Sequence, residues 1–321
     1  MIVTVTLNPL LERRFYFKHV LFEEENRNGK QELKAGGKGI NVSRQLSYLN
    51  LDNIAFTFLG GMNGKMLNQV LTEEKIKHVS IHTSNETRDA SLIIDESSGK
   101  VSTFFGPNSI ISTGEAKEFL SKLEKMIENC ETVVFAGSSP CKETDEIFPA
   151  GIEIANKFDK ISICDTYGRH LERCIEKSPT IIHNNISELE SSCGISLNSE
   201  EDKIEFLNKL YSRGIKQAYL TNGGDYLYAA DFDYHYKIQP PGISVVDPTG
   251  SGDAFVAGIV FSWHNSLTFE NGLKLASSLG ALNASRFDVC NIGFDEALEM
   301  QNQVKVLPVG KKMKTLNVTP S

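Results

Sequence analysis

Short apolar runs rich in β-branched residues alternate with longer stretches of helical period along most of this chain, and that alternation leaves few folds open. Residues 2–7, 54–59, 132–136, 161–164, 180–183 and 217–221 read as buried strands. Between them, residues 39–49, 65–74, 114–129, 143–157 and 200–212 read as helices. A continuous apolar run suits a strand covered on both faces, the usual situation in a parallel sheet. The expected fold is α/β: a doubly wound, largely parallel sheet flanked by helices. Ligands in such a sheet sit beyond the C-terminal ends of the strands.

Two segments break the alternation. Residues 13–33 and 87–105 are short alternating stretches without helical period. The second, from Arg88 through a Ser97-Ser98-Gly99-Lys100 turn to Phe105, reads as a hairpin. The chain has 321 residues, 40% of them hydrophobic and 23% charged, enough for a packed core in one large or two smaller domains. The net charge of -8 argues against a general role on nucleic acid or an anionic membrane, but leaves room for a local cationic pocket. No apolar run approaches the roughly 20 residues of a membrane span. The opening Met1-Ile2-Val3-Thr4-Val5-Thr6-Leu7 alternates like a strand and does not resemble a secretion signal. The six cysteines show no CxxC pair or zinc spacing, so reduced thiols and a cytoplasmic location are expected. Residues 311–321 form a polar, basic tail expected to fray.

Chemistry concentrates in two glycine loops. Asp247-Pro248-Thr249-Gly250-Ser251-Gly252-Asp253-Ala254 opens into an apolar helical run. A flexible turn feeding a helix N-terminus offers backbone N–H groups to an anion. A carboxylate in the first turn, Asp253, can take a proton from an attacking hydroxyl. An anion hole beside a base points to phosphoryl transfer to an alcohol; the plain alternative is a loop that caps an ordinary helix. The second loop, Ala35-Gly36-Gly37-Lys38-Gly39-Ile40-Asn41-Val42, places three glycines around a lysine before another helical pattern. No G-x-x-x-x-G-K-[ST] run is present, so the chain is not a P-loop protein, and the dinucleotide and protein-kinase signatures are also missing.

Together, in this order and about two hundred residues apart, the two loops resemble the signatures of the ribokinase-like carbohydrate kinases, also called the phosphofructokinase B family. The resemblance spans nearly the whole chain. It implies a ribokinase-like domain over about 1–310 with a small β-sheet lid from segments near 12–34 and 86–106. It implies Asp253 as catalytic base, with Gly250, Ser251 and Gly252 around the transferring phosphoryl group. ATP and Mg²⁺ are the implied cofactors. Asn185-Ile186-Ser187-Glu188 matches the family's Asn-x-x-Glu motif, with Glu188 near Mg²⁺, indirectly; an N-cap is the structural alternative. Thr221, Gly223, Thr249 and Asn283 are the remaining nucleotide-side candidates. For Gly223 a tight turn, and for Asn283 a capping role, are the competing readings.

On the sugar side, Asn8-Pro9-Leu10-Leu11-Glu12 resembles the family's Asn-Pro-x-x-Asp, with Glu12 where Asp is usual. Gly36, Gly37 and Asn41 are expected to meet sugar hydroxyls. Arg27, Lys38 and Arg88 are expected to converge on a phosphate already carried by the substrate, because guanidinium suits phosphate. The subgroup resembled is the tagatose-6-phosphate kinases and 1-phosphofructokinases, so a ketohexose monophosphate is the expected acceptor. A kinase for an unphosphorylated sugar or nucleoside, and a non-catalytic sensor of ATP or sugar phosphate, are the alternatives. The family usually has Lys-Pro where His183-Asn184 stand here. Lids of this kind pair between subunits, which implies a homodimer.

Overall fold

The structure is a computed structural model that describes residues 1–232 and 234–309; the tail expected at 311–321 lies outside the described residues. The first half runs β1 (Ile2–Thr6), β2 (Leu10–Phe17), β3 (Lys30–Gly36), α1 (Lys38–Tyr48), β4 (Asn53–Gly60), α2 (Gly61–Glu73), β5 (His78–Thr83), β6 (Asp89–Asp95), β7 (Lys100–Phe105), α3 (Thr113–Glu128) and β8 (Thr132–Gly137). The second runs α4 (Ile147–Lys157), β9 (Ile161–Thr166), α5 (Leu171–Glu176), β10 (Ile181–Asn185), α6 (Ile186–Cys193), α7 (Glu200–Ser212), β11 (Gln217–Thr221), β12 (Leu227–Asp231), β13 (Tyr234–Gln239), α8 (Ser251–His264), α9 (Phe269–Ala284), α10 (Phe294–Met300) and β14 (Lys305–Val309).

Among the described residues these strands form a ten-stranded sheet, ordered β14-β13-β12-β11-β10-β9-β8-β1-β4-β5, and a separate four-stranded sheet, β3-β2-β6-β7. From β11 to β5 the large sheet is parallel, as its apolar runs predict. Every residue of β1 is buried, because helices cover both faces. On one face Phe119 of α3 stacks on Phe56 of β4 at 4.0 Å between ring centroids. Burying each such ring contributes about 1.5–3 kcal/mol. On the other face Val42 and Leu46 of α1 pack with Val256 and Val260 of α8. Sharp helix starts come from local chemistry: Ser112 and Glu115 form a capping box on α3, and Ser199 and Asp202 do so on α7.

The parallel core was legible; its antiparallel extension was not. β12, β13 and β14 add to one edge. β14 carries Pro308 and lies at the end of the sheet, where a missing N–H is tolerated. The hairpin expected over 88–105 is β6 and β7. It joins β2 and β3 in the small sheet, with β2 and β6 parallel.

Strand order reverses at β1, which has β4 on one side and β8 on the other. That is a topological switch point, where a cleft opens beyond the strand ends. Asn8, just past β1, donates through Nδ2 to Asn108 at 3.0 Å and to Ser138 at 3.2 Å, fastening the cleft floor across the switch. No helix among the described residues is long and apolar enough to cross a membrane.

Candidate active site

The loop before α8 is shaped by one glycine. Gly250 is the N-cap in a left-handed conformation, φ 79°, and a Cβ there would lie 2.3 Å from Val289. Only glycine fits both the angle and the space. The turn takes the Ser251 N–H for Pro248 O, at 3.1 Å. Helix geometry then leaves the amides of Gly252 and Asp253 as the donors that face an incoming anion. This differs from the expectation that Ser251 contributes its backbone, because the turn has already used that donor.

Asn283 braces this loop. Its Nδ2 donates to Thr249 O at 2.7 Å and to Ser251 Oγ at 3.3 Å, and its Oδ1 accepts from the Cys290 N–H at 2.7 Å. The side chain is buried and engaged at both ends, so its contacts are those of the capping alternative. Thr249 is exposed, with its N–H on Asp247 Oδ1 at 2.9 Å.

Asp253 is buried in the first turn of α8. Burial pushes its carboxyl up to about 7. Lys38 pulls the other way, Asp165 adds to the rise, the Asn41 hydrogen bond opposes it, and Glu188 adds a smaller push upward. A carboxylate poised near neutral pH is well matched to general-base work. Asn41 donates through Nδ2 to Asp253 Oδ2 at 2.7 Å, so this residue, expected on the sugar, also holds the Asp253 carboxylate.

Lys38 starts α1 directly after Gly37, whose φ of 120° lets the chain turn into the helix. Its ammonium reaches Glu188 Oε2 at 2.8 Å and Asp165 Oδ1 at 3.5 Å, above the Tyr167 ring at 4.9 Å. Asp165, at the end of β9, was missed by sequence reasoning. The available signal was its place just after the apolar run 161–164, at the C-terminal end of a parallel strand. It is 1% exposed; burial would raise its carboxyl, but Lys38 and then His183 more than offset that and hold it at about 2.

His183 takes the position of the family's lysine and is tied into the same network. Its Nδ1 lies 2.9 Å from Asp165 Oδ1 and its Nε2 lies 3.1 Å from Thr221 Oγ1. The Asp165 carboxylate accepts from Nδ1, which leaves Nε2 facing the Thr221 hydroxyl. Its ring lies against Phe255 and beside Gly252. Asn185 is the N-cap of α6, accepting from the Ser187 N–H at 3.0 Å, so the N-cap alternative accounts for its Oδ1. Gly223 lies in the turn between the antiparallel strands β11 and β12, with φ 55°, and Asn222 closes that turn on Asp225.

The three cations expected to converge do not. Lys38 is committed to Asp165 and Glu188. Arg27 lies in the exposed connection between β2 and β3 and pairs with Glu25, its sequence neighbour but one. Arg88 remains at the cleft. It donates to Asn8 O at 3.0 Å and Pro9 O at 3.3 Å, and reaches Asn108 Oδ1 at 3.4 Å. Among the described residues no carboxylate pairs with it, and burial lowers its pKa.

Glu12 sits against Gly36, where a Cβ would come within 2.6 Å of its Oε1. Its Oε2 accepts from Arg14 Nε at 3.0 Å and Nη2 at 2.8 Å. Residues two apart on a strand share a face, which brings this buried pair together. Arg14 Nη1 also donates to Phe287 O at 3.0 Å, linking the small sheet to the loop that packs on Gly250. A cavity of about 210 Å³ opens between Glu12, Arg14, Asn41 and Arg44. Arg14→Ala strands a buried carboxylate, and is expected to lower stability by about 3–5 kcal/mol. Urea unfolding at neutral pH checks it; a change within about 0.5 kcal/mol contradicts it.

Residues 10–295 match the family described as pfkB family carbohydrate kinase. The tagatose-6-phosphate kinase of Staphylococcus epidermidis is 30% identical over 312 residues, which cover 96% of this chain and all of that protein. A structure described as a possible 1-phosphofructokinase from Thermotoga maritima superposes with a TM-score of 0.88 at 23% identity, covering 97% of this chain and all of the other. The tetrameric inhibited form of phosphofructokinase-2 from Escherichia coli gives 0.83 at 20% identity, covering 94% and 98%.

Proposed function

Because the chain belongs to the pfkB family of carbohydrate kinases, and so is an ATP-dependent kinase, we propose that it phosphorylates a ketohexose monophosphate to the bisphosphate, with Asp253 as general base. The observation that carries the chemistry is the buried Asp253 carboxyl, raised to about 7, in the first turn of α8 beside its free amides. The acceptor hydroxyl gives its proton to Asp253 as its oxygen attacks the γ-phosphorus. The amides of Gly252 and Asp253 stabilise charge on the phosphoryl oxygens as ADP leaves. Catalysis of this kind is mainly positioning and electrostatics.

Glu12, Gly36, Gly37 and Asn41 line the sugar side, and Lys38, Thr221, Thr249, Asn185 and Glu188 the triphosphate side. Among the described residues no three metal-ligating side chains assemble. Mg²⁺ keeps waters and substrate phosphates in its shell and needs few protein ligands. Glu188 would hold it through water, and the ion would neutralise phosphate charge when bound. The small sheet closes over the sugar and excludes water. Its strand β7 exposes Phe104 and Phe105, which supports pairing of two copies through this sheet.

The substrate phosphate is assigned to Arg88, a guanidinium at the cleft without a carboxylate. ADP release with MgATP should be measured against tagatose 6-phosphate, fructose 1-phosphate, fructose 6-phosphate, fructose, ribose and adenosine. Turnover is expected with the phosphorylated ketohexoses. Arg88→Ala should lower kcat/KM for them by about 10–150-fold, the loss of a charge-assisted contact. Turnover confined to free sugars, or an Arg88→Ala enzyme unchanged on sugar phosphates, contradicts the assignment. Binding of ATP without turnover on any acceptor contradicts the kinase reading.

A further inference from the structure

We propose that Arg44 is a positioning residue for the base: its guanidinium fixes the Asn41 amide so that the amide donates to Asp253. The inference rests on the assignment of Asp253 as general base. Asn41 and Arg44 are three residues apart on α1 and so share a face. Arg44 Nη1 donates to Asn41 Oδ1 at 2.8 Å, and Asn41 Nδ2 donates to Asp253 Oδ2 at 2.7 Å. An asparagine amide has one donor end and one acceptor end. Turned over, it would point its oxygen at a carboxylate and its NH₂ at a cation. Arg44 therefore decides which end the base meets.

Arg44 is itself pinned. Its Nε and Nη2 grip Glu74 Oε2 at 2.8 and 2.7 Å, and Nη2 also donates to Ala35 O in the first glycine loop. Its side chain is 11% exposed, and its contact toward the base is the hydrogen bond to Asn41. The charges facing Asp253 are Lys38 from α1, Asp165 from β9 and Glu188 from α6, with the Cys290 thiol on the loop after α9. Asn41 is the neutral group that favours the ionised base by a direct hydrogen bond.

The test uses the full chain with Arg44→Met, Arg44→Lys and Glu74→Gln, none of which touches Asp253. Losing the oriented donor raises the pKa of the base, so the acid limb of the kcat profile moves to higher pH. For Arg44→Met the expected displacement is about one pH unit, with kcat at pH 7 down about fivefold and KM for ATP unchanged. Arg44→Lys keeps the charge and loses the planar fork, and should match Arg44→Met. A lysine variant with the wild-type profile would mean that charge alone matters, and overturns the proposal. So does an unmoved profile in Arg44→Met. If that variant does not fold, Glu74→Gln decides: a smaller upward shift supports the relay and none overturns it. A carboxyl ¹³C titration of Asp253, assigned by its loss in Asp253→Asn, reads the same shift without turnover. Failure of the kinase reading thus leaves the relay testable, and a working kinase with an unmoved Asp253 titration in Arg44→Met sinks the relay alone.

Discussion

Asp253→Asn is expected to lower kcat by about 10²–10⁴-fold while making the protein more stable at alkaline pH. Both effects come from one burial. The carboxyl's folded value is about 7, against an ordinary 3.8. Because the folded value is raised, the fold carries no penalty below about pH 4, where both states hold the proton. The penalty grows as pH rises and is complete above about 7. Asparagine keeps the Asn41 hydrogen bond, since its Oδ1 still accepts, and never ionises. At pH 8 the variant should gain about 2–4 kcal/mol, shrinking toward zero near pH 4. Urea unfolding at pH 8 and pH 4, beside ADP release, checks the pair of effects. A variant that is inactive yet gains nothing at pH 8 would mean that the carboxylate is ionised without penalty. On the proposed role of Asp253, the wild-type rate should rise with pH through about 7 as the carboxyl loses its proton.

Lys38→Met should cost both stability and activity. Its ammonium joins Glu188 to Asp165, and it is the largest influence holding the Asp253 carboxyl down against burial. Removing it leaves buried Asp165 with His183 as its remaining partner. Stripping one member from such a buried pair typically costs about 3–5 kcal/mol. The sign with pH follows from Asp165, held at about 2 in the folded protein, below its ordinary 3.8. That group's contribution is present above about pH 4 and is lost as pH falls through about 2. Lys38→Met should therefore be destabilised at neutral pH and show a flatter acid dependence below pH 4. The Asp253 carboxyl rises further, so the acid limb of kcat moves up and activity at pH 7 falls about 100-fold or more, partly recovering at high pH. An enzyme whose neutral stability and pH profile match the wild type would show that Lys38 is screened by solvent.

What reading the residues alone reached was the work of local pattern. Buried parallel strands read as unbroken apolar runs, so β1, β4, β8, β9, β10 and β11 fell where the composition put them. The two glycine loops announced themselves because an anion-facing turn demands small residues and positive φ, as at Gly37 and Gly250. Asp253 was legible because it follows that turn in the chain.

The partners of those residues were not legible, because they are joined by space. Asn41 meets Asp253 across 212 positions, and Lys38 meets Glu188 across 150. No local spacing encodes such a contact; it exists only once α1 and α8 pack on the same face of the sheet. The same reason undid the expected cluster of cations, since Arg27 pairs with Glu25 in an exposed connection and Lys38 turns toward Asp165. The sequence by itself determined the parallel strands, the helices that cover them and the two glycine turns, since these follow from side-chain size, polarity and period. The tertiary structure alone decided the proton affinity of Asp253, the orientation of Asn41 and the burial of the Glu12–Arg14 pair. Those depend on dielectric and distance, which exist only after the chain has packed.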